Sequence, residues 1–392
     1  MISKILFSTV TGDYSILEWT LSQTIREVCI ANRIPFNSVA IFTKGLKDYE
    51  SFVGLDTKIG EIENQNELLV LKSDSNTNYE NVTCKNTIIH RNSNPTTEYT
   101  FPSDSSSQDN FHIEMSNEDC KQYVINQITS FFKTEKISAR SKIVLGISGG
   151  GDSNVLIESL IESKIFTPEQ LIPVMVRGIP GTDKGIDRAR KLCEDYSLKL
   201  IEIGQTKINR LIGRTIDNNW IDSFKRVFTE SDVEIIGTLA IRLALFYVAD
   251  KHKTDLTVLG LNMEDLLAEN IIRVMQGALP LPFPVRVIEN KKILFPLYQI
   301  PKKIIDGCNP KYSFQNYTER VPNTVVGRDI ALYIAQMLPT IIQGCEFDFI
   351  RGFQKLSLKN KKPFFYDNDL KLTLLEKINF VTKHKWQVFL NN

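Results

Sequence analysis

Six consecutive residues, Ser148-Gly149-Gly150-Gly151-Asp152-Ser153, set two hydroxyls and a carboxylate around three glycines. Glycine takes positive φ readily and lets a backbone come close to a ligand. A helix starting here turns its free N–H groups and positive dipole end toward whatever anion lies in the loop. The flanking residues supply that setting. Ile143, Val144, Leu145 and Ile147 make the short, β-branched run of a strand buried in a parallel sheet, and Val155, Leu156 and Leu160 recur at helical spacing. The pattern predicts a strand, a phosphate loop and a helix over residues 142–160. A turn that merely redirects the chain, with Asp152 and Ser153 as helix N-caps, has the same composition. The loop's place at the carboxyl end of a strand is nevertheless where open α/β sheets bind ligands. No Lys followed by Ser or Thr closes the glycine run, so it is not a Walker loop, and its glycines lack the spacing of the dinucleotide fingerprint.

Further strands must surround this one. Residues 171–176 and 198–203 read as strands separated by a helix over 185–196, an apolar helix follows over 233–252, and residues 256–260 form a fourth buried strand. Repeated βα units imply a doubly wound parallel sheet. The fourth strand ends in Gly260-Leu261-Asn262-Met263-Glu264-Asp265, where acids also suit a helix N-terminus through its dipole alone. Arg177, at the end of the second strand, reads by itself as a surface charge.

The stretch Ser148 to Ser153, SGGGDS, resembles the pyrophosphate loop of the N-type ATP pyrophosphatases. This PP-loop superfamily includes tRNA 2-thiolation enzymes, tRNA lysidine synthetase, GMP synthetase and NAD synthetase. Glu264-Asp265 followed by Ala268-Glu269 is similar to the acidic turn of the tRNA thiolation and lysidine enzymes, and FPLYQIPKK over 295–303 to a thiolation-family helix start. The resemblance implies an α/β, adenine nucleotide α-hydrolase-like fold and splitting of ATP to pyrophosphate and an adenylated substrate, whose AMP a nitrogen or sulfur nucleophile displaces. By the same resemblance Ser148, Gly149, Gly150, Gly151, Asp152 and Ser153 cradle the ATP pyrophosphate, and Val176, Arg177 and Gly260 contact the nucleotide. Asp152, Asp265 and Ser153 are then the catalytic candidates, with Asp152, Glu264 and Asp265 as Mg²⁺ ligands, since that ion prefers one or two carboxylates plus phosphate oxygens.

Composition bounds the rest. The chain has 392 residues, 42% hydrophobic and 24% charged, ordinary for soluble globular domains. With 47 Lys plus Arg against 46 Asp plus Glu, the net charge of +1 supplies no global attraction to nucleic acid or anionic membrane. The N-terminus is too quickly polar for a signal peptide and no run of about 18 apolar residues suggests a span, so the expectation is a cytoplasmic protein without a membrane partner. The six cysteines lie far apart with no CxxC pair, which argues against a zinc knuckle or a disulfide framework.

Four regions are expected. Residues 1–73 have the element order of an α+β β-grasp, or ubiquitin-like, domain, read as a docking site for a protein partner because no free Gly-Gly terminus ends it. Residues 74–115, rich in Ser, Asn, Thr and Asp, read as a flexible linker with a short strand over 82–90. Residues 116–340 form the PP-loop domain, with Ser116 capping its first helix. Residues 341–392 are a C-terminal extension in a helical region, where Lys355, Lys359, Lys361 and Lys362 beside Phe364, Phe365 and Tyr366 either grip RNA or are a solvated face beside core aromatics. Two departures bear on substrate: the cysteine pair many thiolation enzymes place before the long helix is absent from Ile236-Gly237-Thr238-Leu239-Ala240, and Cys308 alone follows the acidic turn. A lone cysteine is more often packing than a nucleophile. The first expectation is a tRNA-modifying enzyme that adenylates a base carbonyl; the alternatives are a small-molecule amide or thioamide ligase of the same superfamily and a non-catalytic nucleotide-binding scaffold.

Overall fold

A computed structural model describes residues 4–7, 19–32, 34–38, 40, 42–43, 51–52, 54–62, 67–70, 87–90, 95–102, 110–179, 183–228, 233–318, 326–361, 363–375 and 377–391. The N-terminal unit contains β1 (Lys4–Phe7), α1 (Ile25–Ala31), β2 (Phe42–Thr43), β3 (Ser51–Phe52) and β4 (Glu67–Val70). Its sheet has the order β1-β4-β2-β3, with β1 parallel to β4 and β2 antiparallel to both β3 and β4. A capping box between Thr24 and Glu27 starts α1, which buries Ile25, Val28 and Cys29. Reading this unit as a β-grasp is a proposal that rests on the element order.

The flexible-linker reading of residues 74–115 fails for the residues described there. They form β5 (Thr87–His90), β6 (Thr97–Pro102) and β7 (Asn110–Met115), with β6 antiparallel to β7 from Thr97 opposite Met115 to Pro102 opposite Asn110. Few large apolar residues occur in this stretch, but they sit where burial needs them. Tyr99 and Met115 are 2% and 5% exposed in the main core, and Phe101 packs on Tyr123 and Phe347. The first half of the strand expected over 82–90 lies outside the described residues, as does Lys362.

The remaining elements are α2 (Asn117–Thr134), β8 (Ile143–Gly146), α3 (Gly151–Glu162), β9 (Leu171–Val176), α4 (Ile186–Asp195), β10 (Ile201–Ile203), α5 (Gln205–Ile212), α6 (Trp220–Val227), α7 (Val233–Lys251), β11 (Leu256–Leu259), α8 (Met263–Met275), β12 (Val285–Ile288), β13 (Lys291–Leu294), α9 (Lys302–Cys308), α10 (Pro310–Thr318), α11 (Val326–Ile341), α12 (Cys345–Ser357), β14 (Phe365–Asp367), β15 (Leu372–Leu374) and α13 (Phe380–Asn391). The six-stranded sheet runs β10-β9-β8-β11-β13-β12, all parallel except β12, which is antiparallel to β13 at the edge. Successive strands step outward from β8 to β10, and the chain then returns to place β11 on the other side of β8. The crevice between the carboxyl ends of β8 and β11 is therefore a topological switch point, the ligand-binding position of open α/β sheets.

The two sheet faces are covered separately, as the near-continuous apolar strands require. Ile143 and Leu145 of β8 face a core built with α2, α3, α8 and α9. Val144 faces a second core with α5, α6 and α7. The C-terminal region is not wholly helical: β14 and β15 form an antiparallel pair that closes the second core with α13, where Trp386 and Phe389 pack edge-on against Phe224. No helix among the described residues is long and apolar enough to cross a membrane.

Candidate active site

The loop after β8 is shaped by contact between two backbones. Gly149 has φ +72°, and a β-carbon there would lie 2.0 Å from the Gly185 carbonyl oxygen; one on Gly185 would lie 2.1 Å from the Ser148 oxygen. Glycine is required on both sides of that contact. The Gly149 carbonyl is held from outside by Arg188 Nε and Tyr312 Oη, each donating at 2.9 Å. Gly150, not Asp152 or Ser153, is the N-cap of α3, and no side chain caps it. The N–H groups of Gly151, Asp152 and Ser153 in the first turn therefore have no intrahelical acceptor.

Ser153, expected to help cradle the pyrophosphate, has its hydroxyl engaged within the loop. It is 5% exposed, and its Oγ accepts the Ser148 N–H at 3.0 Å and lies 3.3 Å from Ser148 Oγ. It pins the loop, and Ser148 is the hydroxyl nearer the surface.

The two strand ends meet at Asn262. Its Oδ1 accepts the Asp265 N–H at 2.9 Å to cap α8, while its Nδ2 donates to Asp152 Oδ1 at 3.1 Å. Gly260 lies against the first turn of α3, its absent β-carbon 3.6 Å from the Asp152 carbonyl oxygen. Burial first, and then the neighbouring Asp152 carboxylate, raises the Asp265 carboxyl above its ordinary range, with Arg328 opposing. Arg328 Nη2 is 3.7 Å from Asp265 Oδ1. Two neighbouring carboxylates joined through Asn262, one of them buried, are a donor set that a divalent cation relieves. Among the described residues no three His, Cys, Asp or Glu side chains converge as metal ligands, so Mg²⁺ here would take Asp152 and Asp265 and fill its other positions with phosphate oxygens and water.

Glu264 does not join them. It is 3% exposed, and its Oε2 accepts the backbone N–H of Lys302 at 2.9 Å, capping α9. Burial lifts its pKa to about 8, and its carboxyl is committed to the start of α9 rather than to the loop. Side-chain direction is the reason: Glu264 and Asp265 are consecutive on a helix, about 100° apart, and cannot both face the loop. Arg177 donates to Asp183 Oδ1 at 3.3 Å and to Glu202 Oε2 at 3.1 Å, and Val176 is buried in the second core. Their side chains are engaged with these partners, not with Asp152.

Several groups around the loop were not singled out by the sequence. Lys302 Nζ lies 3.5 Å from Asp152 Oδ1 and 2.6 Å from Asp306 Oδ1. Asn316 accepts from Arg188 at 3.3 Å beside Gly150, and the buried Ser313 Oγ, which has no hydrogen-bond partner, faces Gly151. These come from α4, α9 and α10, far away in the chain, and the only available signal was Lys302 after Pro301, which a helix start explains equally well. Cys308 is 1% exposed on α9, its Sγ 3.3 Å from the Ile304 carbonyl, and burial pushes its thiol well above the ordinary range. It is held as a neutral packing residue.

The arrangement presents N–H groups, two carboxylates and the cations of Lys302, Arg188 and Arg328 near the switch point. Residues 124–236, which contain the glycine loop, match the family model described as NAD synthase. The U34-tRNA thiolase NcsA from Methanococcus maripaludis, solved with its 4Fe-4S cluster, superposes with a TM-score of 0.51 and 20% identity over 62% of this chain and 82% of that one. This region is a PP-loop domain. It has the adenine nucleotide α-hydrolase-like fold. NMN synthetase from Francisella tularensis matches at 12% identity and a TM-score of 0.39, covering 65% of this chain and all (100%) of that one. NH3-dependent NAD synthetase from Campylobacter jejuni matches at 17% identity and a TM-score of 0.35, covering 64% and 100%. No curated protein matches the chain in sequence. The likeness of the PP-loop domain to the thiolase is one of fold.

Proposed function

We propose that this chain is an ATP-dependent adenylating enzyme of the cytoplasm. The observation that carries the reading is the joining of the two strand ends through Asn262, which sets Asp152 and Asp265 side by side at the open N-terminus of α3. ATP lies with its phosphates against the N–H groups of residues 150–153. Bound Mg²⁺ would neutralise phosphate charge next to Asp152 and Asp265. A substrate oxygen attacks the α-phosphorus in line, the bond to the β-phosphate breaks, and pyrophosphate leaves with the bonding pair. Lys302 and Arg188 stabilise the charge gathering on the leaving group, and loop and helix N–H groups do so without reorganising. A nitrogen or sulfur nucleophile then displaces AMP from the activated carbonyl.

The acceptor we favour is a tRNA base carbonyl. Lys355, Lys359 and Lys361 are exposed, and Phe365 and Tyr366 are 38% and 51% exposed rather than core residues. Exposed cations and exposed aromatic rings in one stretch of chain suit phosphate contact with base stacking, although Phe364 packs against the main core. The match to the NAD synthase model supports a second reading, a small-molecule amide ligase. Purified protein incubated with ATP labelled at the α and γ positions separates them. AMP plus pyrophosphate only with bulk tRNA supports the RNA acceptor, and the same products only with a small-molecule extract support the ligase. ADP plus phosphate, or no turnover in any mixture, overturns adenylation. Asp152→Asn is expected to lower AMP formation at least a hundredfold, since charge-stabilising groups of this kind contribute about 10²–10³ in rate.

A further inference from the structure

Two neighbouring lysines at the start of α9 face opposite ways. Lys302 points to the phosphate loop. Lys303, 1% exposed, points away from it, and its Nζ donates to the Phe36 carbonyl of the N-terminal unit at 3.3 Å. Glu98 of β6, itself 3.4 Å from His112 of β7, acts on it through its charge without direct contact, and Arg26 and Cys29 of α1 are its other charged or titratable neighbours. An ammonium this deeply buried persists only when paired and hydrogen-bonded, so three segments distant in sequence are committed to holding it. The same N-terminal segment grips α11. Asn37 N and Nδ2 donate to Thr340 Oγ1 at 3.3 Å and to the Pro339 carbonyl at 3.0 Å, and Ser38 Oγ donates to the Gln336 carbonyl. Residues 34–38 therefore touch the two helices that present Lys302 and Arg328 to the site.

We infer that Lys303 is a positioning residue for phosphate binding: buried and bonded to the Phe36 carbonyl in the field of Glu98, it fixes the start of α9 so that Lys302 meets Asp152 and the loop. The N-terminal unit is then part of the active-site framework. This rests on the ATP-site reading above, and the test separates the two.

Binding of Mg-ATP and of inorganic pyrophosphate to the full chain is measured by calorimetry for Lys302→Met, Lys303→Met and the double variant, with melting curves for each. Lys302→Met should weaken both ligands by about tenfold or more, the loss of one charged hydrogen bond. Lys303→Met should weaken them similarly, and the double variant no further than the worse single, because Lys303 acts only through Lys302. Lys303→Arg should restore affinity. A merely structural lysine predicts a double variant whose losses multiply, or affinity unchanged in Lys303→Met, and either result overturns the inference. If Lys303→Met does not fold, Glu98→Gln, which keeps the shape and removes the opposing charge, should weaken both ligands severalfold, and unchanged binding overturns the inference equally. Unchanged binding in Lys302→Met overturns the inference, since Lys303 acts only through Lys302, whereas a parent chain that binds neither Mg-ATP nor pyrophosphate overturns the ATP-site reading itself.

Discussion

Glu264 shows what burial does to a residue whose type invites a catalytic role. Its carboxyl is raised from 4.5 to about 8, first by desolvation and then by Asp265 and Glu346, against the hydrogen bond from the Lys302 N–H. The folded protein keeps this proton up to about pH 8, whereas the unfolded chain releases it near 4.5. Between those values the native state binds more protons, so this group's contribution to stability is full below the lower value and is lost as pH rises through the upper one. Glu264→Gln imitates the protonated acid and still accepts from Lys302. Its melting temperature should match the parent's near pH 5 and exceed it increasingly toward pH 8; melting curves across that range check it, and a variant that falls below the parent at pH 8 would give Glu264 a role as an anion. Glu346, lifted to about 7 by burial and hydrogen-bonded by Tyr99 at 2.8 Å, leaves a residual slope in both proteins.

At the scale of elements, α9 is the piece on which the site depends most. It is seven residues long and too short to be stable alone, so its place is set by what it touches. Glu264 caps its first turn, and β6 and α2 close on its last. A β-carbon on Gly307 would lie 2.8 Å from Cys120 Sγ and 2.9 Å from Thr97 Cγ2. Gly307→Ala should therefore push α9 off its seat, costing about 1–3 kcal/mol as overpacked cores do, and weaken ATP binding with it. Thermal melting and calorimetry test this together; an unchanged melting temperature would mean the contact yields without cost. The hairpin of β6 and β7 that makes this contact was hidden by its composition. Ser, Thr and Asn dominate residues 74–115, and four or five apolar side chains on alternating positions decide the outcome.

For the molecule as a whole, the N-terminal unit and the PP-loop domain are joined through buried polar contacts. Ser38 is 2% exposed and its hydroxyl donates to α11. Each such bond contributes about 1 kcal/mol net, and more when its loss strands a buried carbonyl. The double variant Asn37→Ala with Ser38→Ala is expected to lower the melting temperature of the entire chain by several degrees and to split the calorimetric transition into two. A single unshifted transition would show that these bonds do not couple the units.

The sequence by itself determined the strand–loop–helix after residue 142 and the parallel α/β class, because each depends on local periodicity, glycine runs or a strand end. A β-branched run, three glycines and an acid carry their meaning wherever they are placed. Only the tertiary structure decided that Glu264 turns away from the loop, that Ser153 pins it, and that Arg188, Lys302, Ser313, Asn316 and Arg328 surround it. These residues lie on separate elements from residue 188 to residue 328, and their side chains acquire roles from direction and burial, which a linear pattern does not encode. The same reason applies to Lys303: a lysine at a helix start is ordinarily a solvated charge, and enclosure by three other segments makes it something else.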